Sequence, residues 1–103
     1  MRVRRFGQSF AHPLLVLVLL DGGKSTSRFA VTAGSSIGNA VKRNRAKRLL
    51  RTALRDFLGN IDPGYNGVLI ARKSLIRSSH GETKQALGSL LNEAGIIKNK
   101  TDG

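Results

Sequence analysis

"AVKRNRAKRLLRTALRDF", Ala40 to Phe57, decides how the rest of the chain is read. At helical spacing, Ala46, Leu49, Leu50, Ala53, Leu54 and Phe57 fall on one stripe, with Asn44, Arg48, Arg51 and Arg55 opposite them. One face can pack and the other forms a cationic ridge. Lys42, Arg43, Arg45, Lys47, Arg48, Arg51 and Arg55 stand in this stretch against a single acid, Asp56. Asn39 is placed to cap the helix, and Gly59 is the signal that ends it.

The apolar stripe needs a surface, and the flanking sequence supplies strands. "LLVLVLL" (Leu14 to Leu20), bounded by Pro13 and by Asp21-Gly22-Gly23, reads as a central strand buried on both faces. "RRFGQSFAH" before it suits an edge strand. "SRFAVTA" (Ser27 to Ala33) reads as a third strand, antiparallel to the second across the Asp-Gly-Gly turn, so that three strands lie in a row. Gly34, Ser35, Ser36 and Gly38 form a flexible connector into the basic helix. After it, Pro-Gly and Asn-Gly signals in "NIDPGYNG" (Asn60 to Gly67) precede a fourth strand, "VLIAR". Ser79 and Glu82 have capping-box spacing; the helix they open carries Ala86, Leu87, Leu90, Leu91 and Ala94 on one face and stops at Gly95. The order is βββαβα: an α+β fold, a small mixed sheet of about four strands with two packed helices.

A chain of 103 residues accommodates one domain with a modest core, here residues 1–103 with a fraying tail at 98–103. Its formal net charge of +12 needs a polyanionic counterpart, nucleic acid or an anionic membrane. With no Cys, disulfides and thiolate chemistry are excluded. "MRVRR" followed by "LLVLVLL" superficially suggests a secretory signal, but the apolar run is short, His12-Pro13 precedes it, and no small-x-small site follows. It is also far shorter than the ~20 apolar residues a bilayer span requires. The expected location is the cytoplasm, without a membrane partner.

Phosphodiester hydrolysis by a protein calls for an acid-base pair or a carboxylate-held metal. His12, before a proline, and His80, at a helix start, fit turn and capping roles. Asp21, Asp56, Asp62, Glu82, Glu93 and Asp102 show no metal-ligand spacing. "DGGKST" lacks the first Gly of a phosphate-binding loop. No catalytic or metal residue is therefore assigned to the protein. The helix is the stronger signal, because solvated charged faces usually mix both signs, whereas Arg48, Arg51 and Arg55 stack with no acid between them. Arg, with its planar fork and its ability to stack on bases, favours nucleic acid over lipid.

"GNAVKRNRAKRLLR" (Gly38 to Arg51), with Arg43-Asn44-Arg45, Lys47-Arg48 and Arg51, closely resembles the signature of the protein subunit of bacterial ribonuclease P. "GQSFAHPLLVLVLL", "RFAVTAG", "VLIARK" and "SSHGETKQALGSLL" resemble that family's strands and final helix, so the similarity covers nearly the whole chain. The resemblance implies a ribonucleoprotein endoribonuclease that removes the 5′ leader from precursor tRNA and leaves a 5′-phosphate. Catalysis and the Mg2+ ions would belong to the RNA subunit, with one protein per catalytic RNA and no protein partner. It implies that Lys42, Arg43, Asn44, Arg45, Lys47, Arg48 and Arg51 contact RNA; Arg55 joins them by its place on the ridge. It also implies a left-handed strand-helix-strand crossover, against the general right-handed rule, and a cleft between helix and sheet for the single-stranded leader, to which Phe10, Val18 and Phe29 are assigned.

Three departures accompany the resemblance. The family's usual N-terminal helix is represented only by residues 1–5. Val18 stands where many members carry an aromatic, and Ser35-Ser36 replace a common lysine pair. Two other readings compete: a non-enzymatic RNA-binding protein, which the charge alone allows, and a protein-only nuclease using His12 or His80.

Overall fold

The computed structural model describes residues 8–21, 28–61 and 64–97. The elements are β1 (Gln8–Ala11), β2 (Leu15–Asp21), β3 (Arg28–Thr32), α1 (Ala40–Arg55), β4 (Tyr65–Ala71) and α2 (His80–Ala94), in the expected βββαβα order. The N-terminal remnant, Gly22-Gly23 of the Asp-Gly-Gly turn, Asp62-Pro63 and the tail lie outside the described residues.

The sheet differs from the expected row of three. Its order is β1-β2-β4-β3, with β1/β2 and β2/β4 antiparallel and β3/β4 parallel. β3 does run opposite to β2, but it is not β2's neighbour. Both hydrogen-bonding edges of β2 are already taken, one by β1 and the other by all seven residues of β4, from Leu15↔Ala71 to Asp21↔Tyr65. β3 therefore lies at the far edge, where α1 links it to β4.

Side chains alternate across this sheet. Leu15, Leu17 and Leu19 of β2, with Leu69 and Ala71 of β4, enter the core beneath the helices, joined by Ala46, Leu50, Ala53 and Leu54 of α1 and Ala86, Leu87, Leu90 and Leu91 of α2. α1 packs on β3 and β4, while α2 packs on β1 and β2. The second face of β2 is not buried as the run of Leu and Val predicts: Val16, Val18 and Leu20 stay half-buried, because both helices cover the same side.

The turns hold apolar residues as well as polar signals. The Gly34–Ser36 connector leads through a short 3-10 turn, Ser35–Ile37, that buries Ile37, and a second, Lys73–Arg77, buries Leu75 completely. β4 begins at Tyr65 and so includes Asn66-Gly67, which read as a turn in sequence. The end of α1 is also earlier than Gly59 suggests, with Asp56 as C-cap and a 3-10 turn over Leu58–Asn60. At the end of α2, Gly95 adopts the left-handed conformation (φ 76°), as its position suggests.

Candidate nucleic-acid interface

The start of α1 is fixed by two polar contacts. The Asn39 side chain accepts a hydrogen bond from Lys42 N at 3.0 Å, and Arg43 Nη1 donates to the Gly38 carbonyl at 2.8 Å. Gly38 has φ 135°, and a Cβ there would lie 2.9 Å from Lys42 Cδ, so the turn into the helix admits little else. Arg43 is thus partly committed to holding the loop, and only the remainder of its fork is left for other acceptors.

Beyond that turn, burial of Ala46, Leu50, Ala53 and Leu54 against the sheet forces the opposite side outward. Asn44, Arg48, Arg51 and Arg55 recur at helical spacings of four, three and four residues, and all four are exposed. Lys42 and Arg45 are exposed too, while Lys47 is half-buried. Among the described residues no acid pairs with any of these cations; Asp56 instead faces α2, its Oδ2 lying 3.5 Å from His80 Nε2 and 3.6 Å from Lys84 Nζ. The row is an uncompensated cationic strip on a rigid support.

The three residues assigned to a leader cleft do not share a face. Phe10 is paired with Leu17 and Phe29 with Gly67, which turns both rings toward the helices, where they pack on the core. Val18, paired with Ser9 and with Val68, faces the other way. Side-chain alternation separates them, since a face is shared only by residues in register. The apolar surface left open is therefore the sheet face away from the helices, where half-buried Val16, Val18, Leu20, Val68 and Ile70 lie side by side.

His12 and His80 each sit in a local contact. His12 Nδ1 accepts from Leu14 N at 3.0 Å, a turn-holding role, and His80 is the first residue of α2 beside Asp56. Among the described residues there is no group of three or more His, Cys, Asp or Glu that could hold a metal ion. No helix among them is long and apolar enough to cross a membrane.

Comparison with known proteins points the same way as the strip. The model of the Ribonuclease P family matches residues 1–95. The chain belongs to the ribonuclease P protein family. The ribonuclease P protein component of Oceanobacillus iheyensis is 38% identical over 94 residues, covering 90% of this chain and 78% of that protein. That of Clostridium botulinum (strain Eklund 17B / Type B) is 33% identical over 108 residues, covering 98% and 86%. Among solved structures, the ribonuclease P protein of Thermotoga maritima superposes with a TM-score of 0.76 at 28% identity, covering 84% of this chain and 83% of that one. The Staphylococcus aureus protein shares the fold, with a TM-score of 0.77 at 22% identity over 89% and 84%.

Within this ribonuclease P fold, sequence reasoning overlooked Thr52. It follows Arg45 and Arg48 by seven and four residues, so it continues their side of α1 toward α2, where His80 waits. Only the distance between the two helices, invisible in sequence, brings His80 to that row. A larger concavity of about 640 Å3, bordered by His12, Ser74, Arg77 and Gln85, lies on another side of α2.

Proposed function

We propose that this protein binds the catalytic RNA of ribonuclease P through α1 and assists it in removing the 5′ leader from precursor tRNA. The carrying observation is the exposed row Arg48, Arg51 and Arg55, continued by Asn44 and flanked by Lys42, Arg45 and Lys47, with no acid among the described residues to neutralise it. Like charges held side by side repel, and phosphates of a structured RNA would relieve that cost while accepting paired hydrogen bonds from each guanidinium. Arg43 both fixes the loop and borders the strip.

Among the described residues the carboxylates are not gathered into a group that could hold Mg2+. In this reading Mg2+ is held by RNA phosphates and supplies the activated water and the stabilised leaving oxygen there. The protein's part is electrostatic: its positive charge substitutes for some of the cations that folded RNA and substrate otherwise demand, which lowers the Mg2+ requirement. The leader would lie on the open sheet face, over Val16, Val18 and Val68, where aliphatic contact replaces the stacking an aromatic would provide. Precursor, which has a leader, would then be preferred to product.

The test is cleavage of precursor tRNA by the cognate catalytic RNA at a few millimolar Mg2+, with and without the protein, beside an Arg48→Ala, Arg51→Ala variant. Wild type is expected to restore cleavage at the mature 5′ end and the variant to fall short by at least tenfold, with the gap closing as Mg2+ is raised. Tight RNA binding without any stimulation of cleavage would leave only the simpler reading, an RNA-binding protein outside the processing reaction.

A further inference from the structure

We propose that Arg45, Arg48, Thr52 and His80 form a discrete phosphate pocket, in which one backbone phosphate of the partner RNA is held between α1 and α2. This rests on the reading of α1 as an RNA-binding helix, and adds to it a second element and two residues that the arginine-rich motif does not contain.

The pocket is a concavity of about 160 Å3 lined by Arg45, Arg48, Leu49, Thr52 and His80. A liquid water occupies about 30 Å3, so a tetrahedral oxyanion fits with solvent to spare. The lining offers donors to an oxyanion: two guanidinium forks, a hydroxyl and, when both ring nitrogens carry hydrogen, an imidazole. No carboxylate of the described residues lines it. Leu49, half-buried, keeps water from one wall, and a charge-assisted hydrogen bond gains strength as water is excluded.

Asp56 stands beside His80. Its carboxylate lies 3.5 Å from Nε2 of His80 and 3.6 Å from Nζ of Lys84. By facing Nε2 it ties the ring to the end of α1, leaving the rest of the imidazole to border the cavity. Asp56 is thus a positioning residue for His80. Arg45 and Arg48 find no anionic partner among the described residues, so two positive charges converge on a hollow of phosphate size. The Arg48-Arg51-Arg55 row is convex and reads many phosphate arrangements; this pocket is concave and suits one phosphate projecting from a turn in the RNA backbone.

The same chemistry would serve a free phosphate, and the experiment separates the two sources. Amide and His-ring NMR spectra of the full chain are followed during titration with inorganic phosphate at constant ionic strength, with chloride as control, and affinity for the catalytic RNA is measured in parallel. Wild type, Thr52→Val, His80→Gln and Arg51→Ala are compared after circular dichroism has verified folding. Saturable phosphate shifts are expected at Thr52 and His80, and both pocket variants should weaken phosphate and RNA binding by about tenfold, the worth of one hydrogen bond to a charged group. Arg51→Ala, outside the pocket, should weaken RNA binding alone. If Thr52→Val and His80→Gln leave RNA affinity intact while Arg51→Ala lowers it, the RNA-binding helix stands and the pocket is overturned as an RNA site. In that case saturable phosphate binding identifies a free-phosphate site, and non-saturating shifts spread along α1 show no site at all. Should no variant affect RNA affinity, the reading of α1 itself fails.

Discussion

Gly67 carries a constraint that its type alone does not reveal. In sequence, Asn66-Gly67 is a turn signal, yet in the folded chain Gly67 lies inside β4 opposite Phe29 of β3. A Cβ there would stand 2.7 Å from Phe29 Cδ2, so the glycine is what lets the ring lie flat across the neighbouring strand. Asn66 is equally committed, since its Oδ1 accepts from Arg28 N at 3.2 Å and extends the β3/β4 pairing by a side-chain bond. Gly67→Ala should cost about 1–3 kcal/mol, as overpacking does, measured by urea unfolding. A second substitution, Phe29→Leu, should recover part of the loss, because it removes the atoms the new methyl meets. Equal stability of Gly67→Ala and wild type would mean that the ring moves aside freely and that the edge strand is not set by this contact.

Among the elements, α1 and α2 were the legible ones. Each has a complete stripe and a cap, and α2 also stops at its glycine, whereas α1 ends before Gly59; caps act over a single turn, so local sequence suffices for them. The Ser79 side chain accepts from Glu82 N at 3.1 Å while Glu82 Oε1 accepts from Ser79 N at 2.9 Å, the reciprocal pair the Ser-x-x-Glu spacing predicts. Ser79→Ala should therefore destabilise the protein by about 1 kcal/mol while leaving RNA affinity nearly unchanged, a contrast that denaturation and RNA binding together would check. Arg51→Ala should do the reverse. Its side chain is exposed and unpaired among the described residues, so stability should hold, while the slope of log affinity against log salt should become shallower by roughly 0.7–0.9. An unaltered slope would place Arg51 away from phosphate. Strand neighbours were less legible than helices. Turn signals after β2 suggested a hairpin to β3, but β4, forty-four residues after the end of β2 by its first residue Tyr65, offers seven in-register partners and takes that edge. Which of two strands wins an edge is a competition over the whole chain, and adjacent residues do not record it. The candidate site divides in the same manner: the Arg row follows from helical spacing, whereas the separation of Phe10 and Phe29 from Val18, and the arrival of His80 beside Thr52, depend on register and interhelix packing.

For the molecule as a whole, the +12 charge works against folding and for binding, and salt can tell the two apart. The radius of gyration is 13.5 Å. At 10 mM ionic strength the screening length is about 30 Å, and at 100 mM it is about 10 Å. In the first case every cation feels all the others across the fold; in the second it feels mainly its neighbours. Unfolding separates these charges, so self-repulsion favours the unfolded chain most at low salt. The free protein should accordingly gain stability between 10 and 100 mM NaCl, and a gain of 1 kcal/mol would raise Tm by roughly 4–8 °C in a chain of this size. Chloride is the right anion for the test, because sulfate and phosphate also strengthen hydrophobic burial and would confound the effect. Over the same range RNA binding should weaken, since the counterions released by each phosphate contact gain less entropy on entering a more concentrated bath. An Arg51→Ala, Arg55→Ala variant should start with a higher Tm at 10 mM and respond less to salt, because it removes two members of the uncompensated row. A Tm that stays flat or falls with added NaCl in the wild type would show that the ridge is not under repulsive load, and the physical reason given for its need of a polyanion would no longer hold.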